Sequence, residues 1–150
     1  MKVKQLSLFL ENKPGALSRP VKLLAKARFN ILTLSIAATR QFGILRFVVR
    51  DWRKAKRVLQ QAGFVVKVSD MVAIEVADQP GGLAKILVTL EKARVNLEYM
   101  SGFTLKIEGK GVLAFRLDDP DRAIAALKKA GISPVRSVDL FNRLESRARA

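Results

Sequence analysis

Glu11-Asn12-Lys13-Pro14-Gly15-Ala16-Leu17 decides the reading of this chain, because its corner occurs twice. Pro14-Gly15-Ala16-Leu17 returns as Pro80-Gly81-Gly82-Leu83, 66 residues on, and Ala27-Arg28-Phe29-Asn30 returns as Ala93-Arg94-Val95-Asn96 at the same spacing. Farther along, Phe47 answers to Phe115, Asp51 to Asp119 and Ala62-Gly63 to Ala130-Gly131, now 68 residues apart. A fixed period of this kind marks a repeated structural unit. The two extra residues fall between Asn96 and Phe115, most simply in the turn holding Gly109 and Gly111. The join lies near Ser69–Met71, so the expected division is 1–69, 70–142 and a basic tail over 143–150.

Each copy reads alike. Leu6, Leu8 and Leu10 alternate with Gln5, Ser7 and Phe9, the period of a half-buried strand, and Val72, Ile74 and Val76 repeat it. After the corner, Leu17, Val21, Leu24 and Ala27, matched by Leu83, Leu87, Leu90 and Ala93, recur at helical spacing. Pro20 belongs in the first turn, where a missing N–H matters least. Leu32, Leu34 and Ile36 predict a second strand and Ile44–Val49 a third. Asp51 and Asp119 stand where helix N-caps belong, and Gly63 and Gly131 where helices end. Phe64–Val68 and Val135–Phe141 are expected as closing strands. The fold class is α+β: two ferredoxin-like βαββαβ sandwiches in tandem, antiparallel sheets with helices on one face.

Composition excludes several chemistries. The 150 residues contain neither cysteine nor histidine, so thiolate nucleophiles, Cys or His zinc sites and Ser–His dyads are absent. Hydrophobic residues at 49% and charged ones at 27% suit a globular domain, and no apolar run approaches a membrane span. A cytoplasmic, non-enzymatic protein without metal or cofactor is expected. The net charge of +15 is uneven, with +12 on residues 1–70 and +3 on 71–150. Arg50, Arg53, Lys54, Lys56 and Arg57 form the densest cationic run, on the outer face of a helix. Asp118-Asp119-Pro120-Asp121 lacks the ligand spacing of a calcium loop and is better read as a helix cap.

The corner is the candidate binding element. A helix opening there offers unpaired N–H groups and the positive end of its dipole, which favour a carboxylate or phosphate. Asn12 and Asn30 can donate and accept hydrogen bonds. By spacing alone, chain reversal is the better account. However, the stretch Glu11–Leu17 followed by Phe29-Asn30-Ile31 resembles the signature of the ACT domain, and Asp78–Leu83 with Val95-Asn96-Leu97 resembles it again. That resemblance spans nearly the whole chain. It implies a regulatory module that binds a small molecule, usually an amino acid, where two modules meet, and that signals through altered packing. It places Asn12, Pro14, Gly15, Ala16, Leu17, Asn30 and Ile31 in one site. Asp78, Pro80, Gly81, Gly82, Leu83, Asn96 and Leu97 fall in the other, where Asp78 in place of Asn would repel a ligand carboxylate. A metabolic enzyme or regulator is the implied downstream partner.

An RNA-recognition module shares the same element order and ranks second. Leu8-Phe9-Leu10-Glu11-Asn12 resembles its first-strand signature, and Arg40–Phe47 part of its third. Gln41 and Ile44 stand where that pattern needs Gly and a second aromatic, and the second copy has Ala73 where Phe9 stood. The sheet face bearing Phe9, Thr33 and Ser35 needs a cover, which predicts packing between modules and a homodimer.

Overall fold

The computed structural model describes residues 2–107 and 109–148. The chain divides into two compact units, Lys4–Ser69 and Asp70–Ala150, the latter taking in Met1–Val3.

In the first unit, β1 (Lys2–Glu11), α1 (Ser18–Lys26), β2 (Thr33–Ala38), β3 (Phe42–Val48) and α2 (Trp52–Gln61) follow in order. Its strands lie β2-β3-β1, with antiparallel register Leu8↔Leu45 and Ile36↔Leu45. Leu6, Leu8 and Leu10 face Leu24 of α1 and Leu59 of α2 across a dry core that includes Phe47. Pro20 falls in the first turn of α1 and is buried. Asp51 caps α2 by accepting from the Lys54 N–H at 3.0 Å. Leu34 and Ile36 share the core-side face by register, yet they are 50% and 53% exposed. β2 is the outer strand, and apolar residues on it extend past the cover of the helices.

The second unit repeats the plan with β4 (Val66–Ala77), α3 (Gly82–Lys92), β5 (Leu97–Ile107), β6 (Lys110–Leu117) and α4 (Pro120–Lys129). Its strands lie β4-β6-β5. Val72, Ile74, Val76, Phe115 and Leu117 pack on Ile86, Leu90 and Leu127. The expected helical stripe is displaced by one residue: Ile86 is buried and Leu87 is 36% exposed. Ile86 is the counterpart of buried Pro20, so both stripes begin there. The β5–β6 register slips by two residues between Gly102↔Leu113 and Lys106↔Gly111, which puts the two extra residues of this copy in β5.

Two local expectations are corrected. The strands expected at Phe64–Val68 and Val72–Val76 are one continuous strand, β4, because Val66, Val68, Val72, Ile74 and Val76 keep a single alternation through the join. The strand expected over Val135–Phe141, and the loose tail after it, give way to α5 (Ser137–Ala148); residues 149 and 150 lie outside the described residues. Among the described residues, only a bridge, Ile74↔Pro134, and the Val135 N–H to Ala73 O bond at 2.8 Å stand where a fourth strand would run. Neither alternating set from 135 to 141 is uniformly apolar, whereas Leu140 and Leu144 are four apart, the spacing of one helix face. Leu140 is fully buried, and Arg143 reaches Glu75 on the sheet face turned away from α3 and α4.

Candidate functional site

Gly15 and Gly81 adopt φ of +83° and +87°, a conformation that only glycine takes without strain, so each corner turns tightly into its helix. At the second corner a further constraint applies. A Cβ on Gly82 would lie 2.2 Å from the Ala77 carbonyl oxygen. Backbone bonds close both turns: Ala16 N–H to Lys13 O at 3.2 Å, and Gly82 N–H to Gln79 O at 3.1 Å. Neither α1 nor α3 has a side-chain cap, and among the described residues the N–H groups of Leu17, Ser18, Leu83 and Ala84 are unbonded. Both helices therefore open with bare donors at the positive end of the dipole.

Each corner borders a cleft, and the two clefts are built from equivalent positions. The first, about 480 Å³, is lined by Phe9, Leu10, Glu11, Lys13, Pro14, Gly15, Ala16, Arg19 and Phe64. The second, about 550 Å³, is lined at the corresponding places by Glu75, Val76, Ala77, Gln79, Pro80, Gly81, Gly82, Lys85 and Ile132, with Lys110 and Ser133 added. In the first, Lys13 pairs with Glu11 at 2.7 Å and holds its carboxyl below the usual range. Arg19 donates to Ala62 O at 3.1 Å and lies 4.8 Å over the Phe64 ring. In the second, Glu75 meets Arg143 and, at 3.8 Å, Lys110. The Lys85 ammonium has no partner among the described residues.

Of the residues the sequence singled out, Pro14, Gly15, Ala16, Pro80, Gly81 and Gly82 line the clefts. Asn12 does another job at the same corner. Its Nδ2 donates to Thr39 O at 2.8 Å and its backbone N–H to Gln41 O at 2.9 Å, fastening the corner to the β2–β3 turn. Asn30 is exposed where the chain enters β2, and Ile31 packs on the first core. Leu17 is 38% exposed. Leu83 and Leu97 pack on the second core, and the Asn96 backbone donates its N–H to Asp118 Oδ1 at 2.9 Å and accepts the Asp118 N–H at 3.1 Å. Asp78, whose N–H donates to Gly109 O, is not among the residues lining the second cleft.

Sequence reasoning missed Arg19, Phe64, Glu75, Lys85, Lys110 and Ile132. The repeat itself carried one usable signal: Arg19 and Lys85 correspond, and each puts a cation at a helix start, against the dipole. Among the described residues no group of three acidic side chains could hold a metal, and no helix is long and apolar enough to cross a membrane. For RNA stacking, Phe9 and Phe42 stand exposed on one sheet face, whereas Phe47 and Ala73 are fully buried.

Two βαββα halves, each with an uncapped helix behind a glycine corner, define a duplicated ferredoxin-like module. The chain belongs to the ACT domain pair family, whose model matches residues 1–144. A solved protein from Bacteroides thetaiotaomicron is 38% identical over 94% of this chain and 96% of its own, with a TM-score of 0.87. The ligand-free regulatory subunit of aspartate kinase from Thermus thermophilus shares the fold at 14% identity and a TM-score of 0.62, over 86% of this chain and 92% of that one. The acetolactate synthase small subunit of Buchnera aphidicola is 36% identical over 63 residues, or 42% of this chain; the match spans 39% of that relative's length.

Proposed function

We propose that this protein is a non-catalytic cytoplasmic regulator that binds an amino acid at its Pro-Gly corners and transmits occupancy as a change in module packing. The observation that carries this reading is the duplicated cleft, built from matching positions and edged in both copies by bare helix N–H donors. Such donors suit an α-carboxylate. A ligand can shift packing only by binding one arrangement more tightly than the other, which a site shared between modules provides. The exposed Leu34 and Ile36 on outer strand β2 support a homodimer as the assembly that completes the site. The Buchnera relative is named as the small subunit of an enzyme, which supports a metabolic enzyme as the downstream partner.

A thermal-shift screen against the twenty amino acids tests the reading. A ligand at 100 times its Kd adds about 2.7 kcal/mol to stability and raises Tm measurably. If no amino acid raises Tm, the sensing reading fails. RNA binding by the first unit keeps one observation in its favour, the neighbouring exposed rings of Phe9 and Phe42. A short RNA run beside the amino acids decides it: that reading needs binding that weakens steeply with salt and is lost in Phe9→Ala.

A further inference from the structure

The two clefts are equivalent in position and opposite in what their charges are doing, and the difference identifies a ligand class. This inference rests on the amino-acid reading above and deepens it. In the first cleft every lining charge is committed within the unit: Glu11 to Lys13, and Arg19 to Ala62 O and the Phe64 ring. Its remaining walls are apolar, with Phe9, Leu10, Pro14 and Phe64. In the second, Phe9 is replaced by Glu75 and the Glu11–Lys13 pair by Ala77 and Gln79. Lys85 takes the place of Arg19 and, among the described residues, its ammonium makes no ion pair or hydrogen bond. Lys110 reaches the same cleft from the start of β6, held only at 3.8 Å by a Glu75 that Arg143 already neutralises.

An exposed lysine at a helix start opposes the dipole, and an anion seated beside it offsets that cost. Two lysines lining one cleft, each with three N–H donors, offer more donor capacity than one carboxylate can use. The Glu75 carboxylate, inside the same cleft, can accept from an ammonium. We propose that the second cleft selects an acidic amino acid, aspartate or glutamate, and that the first does not.

Isothermal titration with L-aspartate, L-glutamate, L-alanine, L-leucine and inorganic phosphate tests this on the whole chain and on three variants, Lys85→Gln, Lys110→Gln and Arg19→Gln. Unliganded melting curves establish that each variant is folded. One acidic amino acid should bind at least about tenfold more tightly than alanine or leucine. Lys85→Gln and Lys110→Gln should each weaken it about tenfold, the effect of one charge-assisted contact, and Arg19→Gln should leave it within about twofold. Neutral amino acids binding as tightly, with no response to Lys85→Gln, would overturn the acidic class and leave the amino-acid reading standing. Binding of phosphate alone, or of nothing, would overturn the acidic class, and the screen of all twenty amino acids then decides the amino-acid reading separately.

Discussion

Replacing Gly82 by alanine puts the architecture of the second corner to the test. The new Cβ would sit 2.2 Å from Ala77 O and 3.2 Å from Ala77 C, closer than real contacts of that kind come. The obstacle is backbone. Ala77 is anchored by its pairing with Lys110 and by accepting the Gln79 N–H at 2.9 Å, so yielding means disturbing the end of β4. Overpacking of this sort costs about 1–3 kcal/mol and a lost hydrogen bond about 1 kcal/mol, while alanine recovers up to about 1 kcal/mol of helix propensity. The net is a destabilisation of about 1–4 kcal/mol with its middle near 2.5, or roughly 2–16 °C in Tm at this chain length. Gly81→Ala is the internal standard. Nothing lies within 4 Å of its Cβ, so only the strain of φ +87° remains, about 1–2 kcal/mol. Denaturant unfolding followed by circular dichroism should therefore rank the variants Gly82→Ala below Gly81→Ala below the parent. A Gly82→Ala protein as stable as the parent, or more stable than Gly81→Ala, would refute the close approach. The first corner already carries Ala16 at this position, so Ala16→Gly should cost less than about 1 kcal/mol.

Other outcomes follow from the same geometry. The four main helices end alike, and two of them have arginine where the other two have glycine: Arg28 and Arg94 at φ 60° and 54°, Gly63 and Gly131 at 90° and 75°. Arg28→Gly and Arg94→Gly should each stabilise the protein by about 0.5–1 kcal/mol, measured by denaturant midpoint, since relief of left-handed strain exceeds the added chain entropy. Arg136 lowers the carboxyl pKa of Asp139 by hydrogen bonding, so that contribution is present above the ordinary carboxylate range and is lost as pH falls through and below it. Asp139→Asn should thus melt below the parent at neutral pH, and the difference should shrink as pH falls through and below the ordinary carboxylate range. For the homodimer proposed above, Leu34→Lys with Ile36→Lys should leave the fold intact and shift the sedimenting species from dimer to monomer; a parent that already sediments as a monomer, or a dimer that survives the change, would remove β2 as the contact edge.

Periodicity served where one side of an element is buried and the other is wet. Leu6–Leu10 and Val72–Val76 are legible as strands because a period of two is forced on them, and Asp51, Asp119, Gly63 and Gly131 mark helix ends because few residues satisfy those positions. Val135–Phe141 misled, since four apolar side chains in seven residues fit either period until a neighbouring surface chooses. Leu34 and Ile36 are legible as a strand but not as exposed, because a sequence does not say which strand is outermost. At the clefts, Pro14–Ala16 and Pro80–Gly82 were legible through backbone demands that limit residue choice. Phe64 and Ile132 were not, for they arrive from the far end of each repeat, and only the folded chain brings them to the corner.

The duplication also shows where the two copies are free to differ. At the core, partners across the repeat stay apolar: Leu8 and Ile74, Leu24 and Leu90, Phe47 and Phe115, Ala55 and Ala123, Leu59 and Leu127. Each fills space between sheet and helices, where a change of volume or polarity is costly whatever the unit binds. Around the clefts the partners change character: Phe9 becomes Glu75, Glu11 becomes Ala77, Lys13 becomes Gln79 and Phe64 becomes Ile132. These positions border open space, so the fold tolerates almost any side chain there and cannot be what distinguishes them. Two units that keep the same kind of core and differ at one cleft can answer to two different ligands without either losing its structure, which is the course proposed above for the second unit through Lys85 and Lys110.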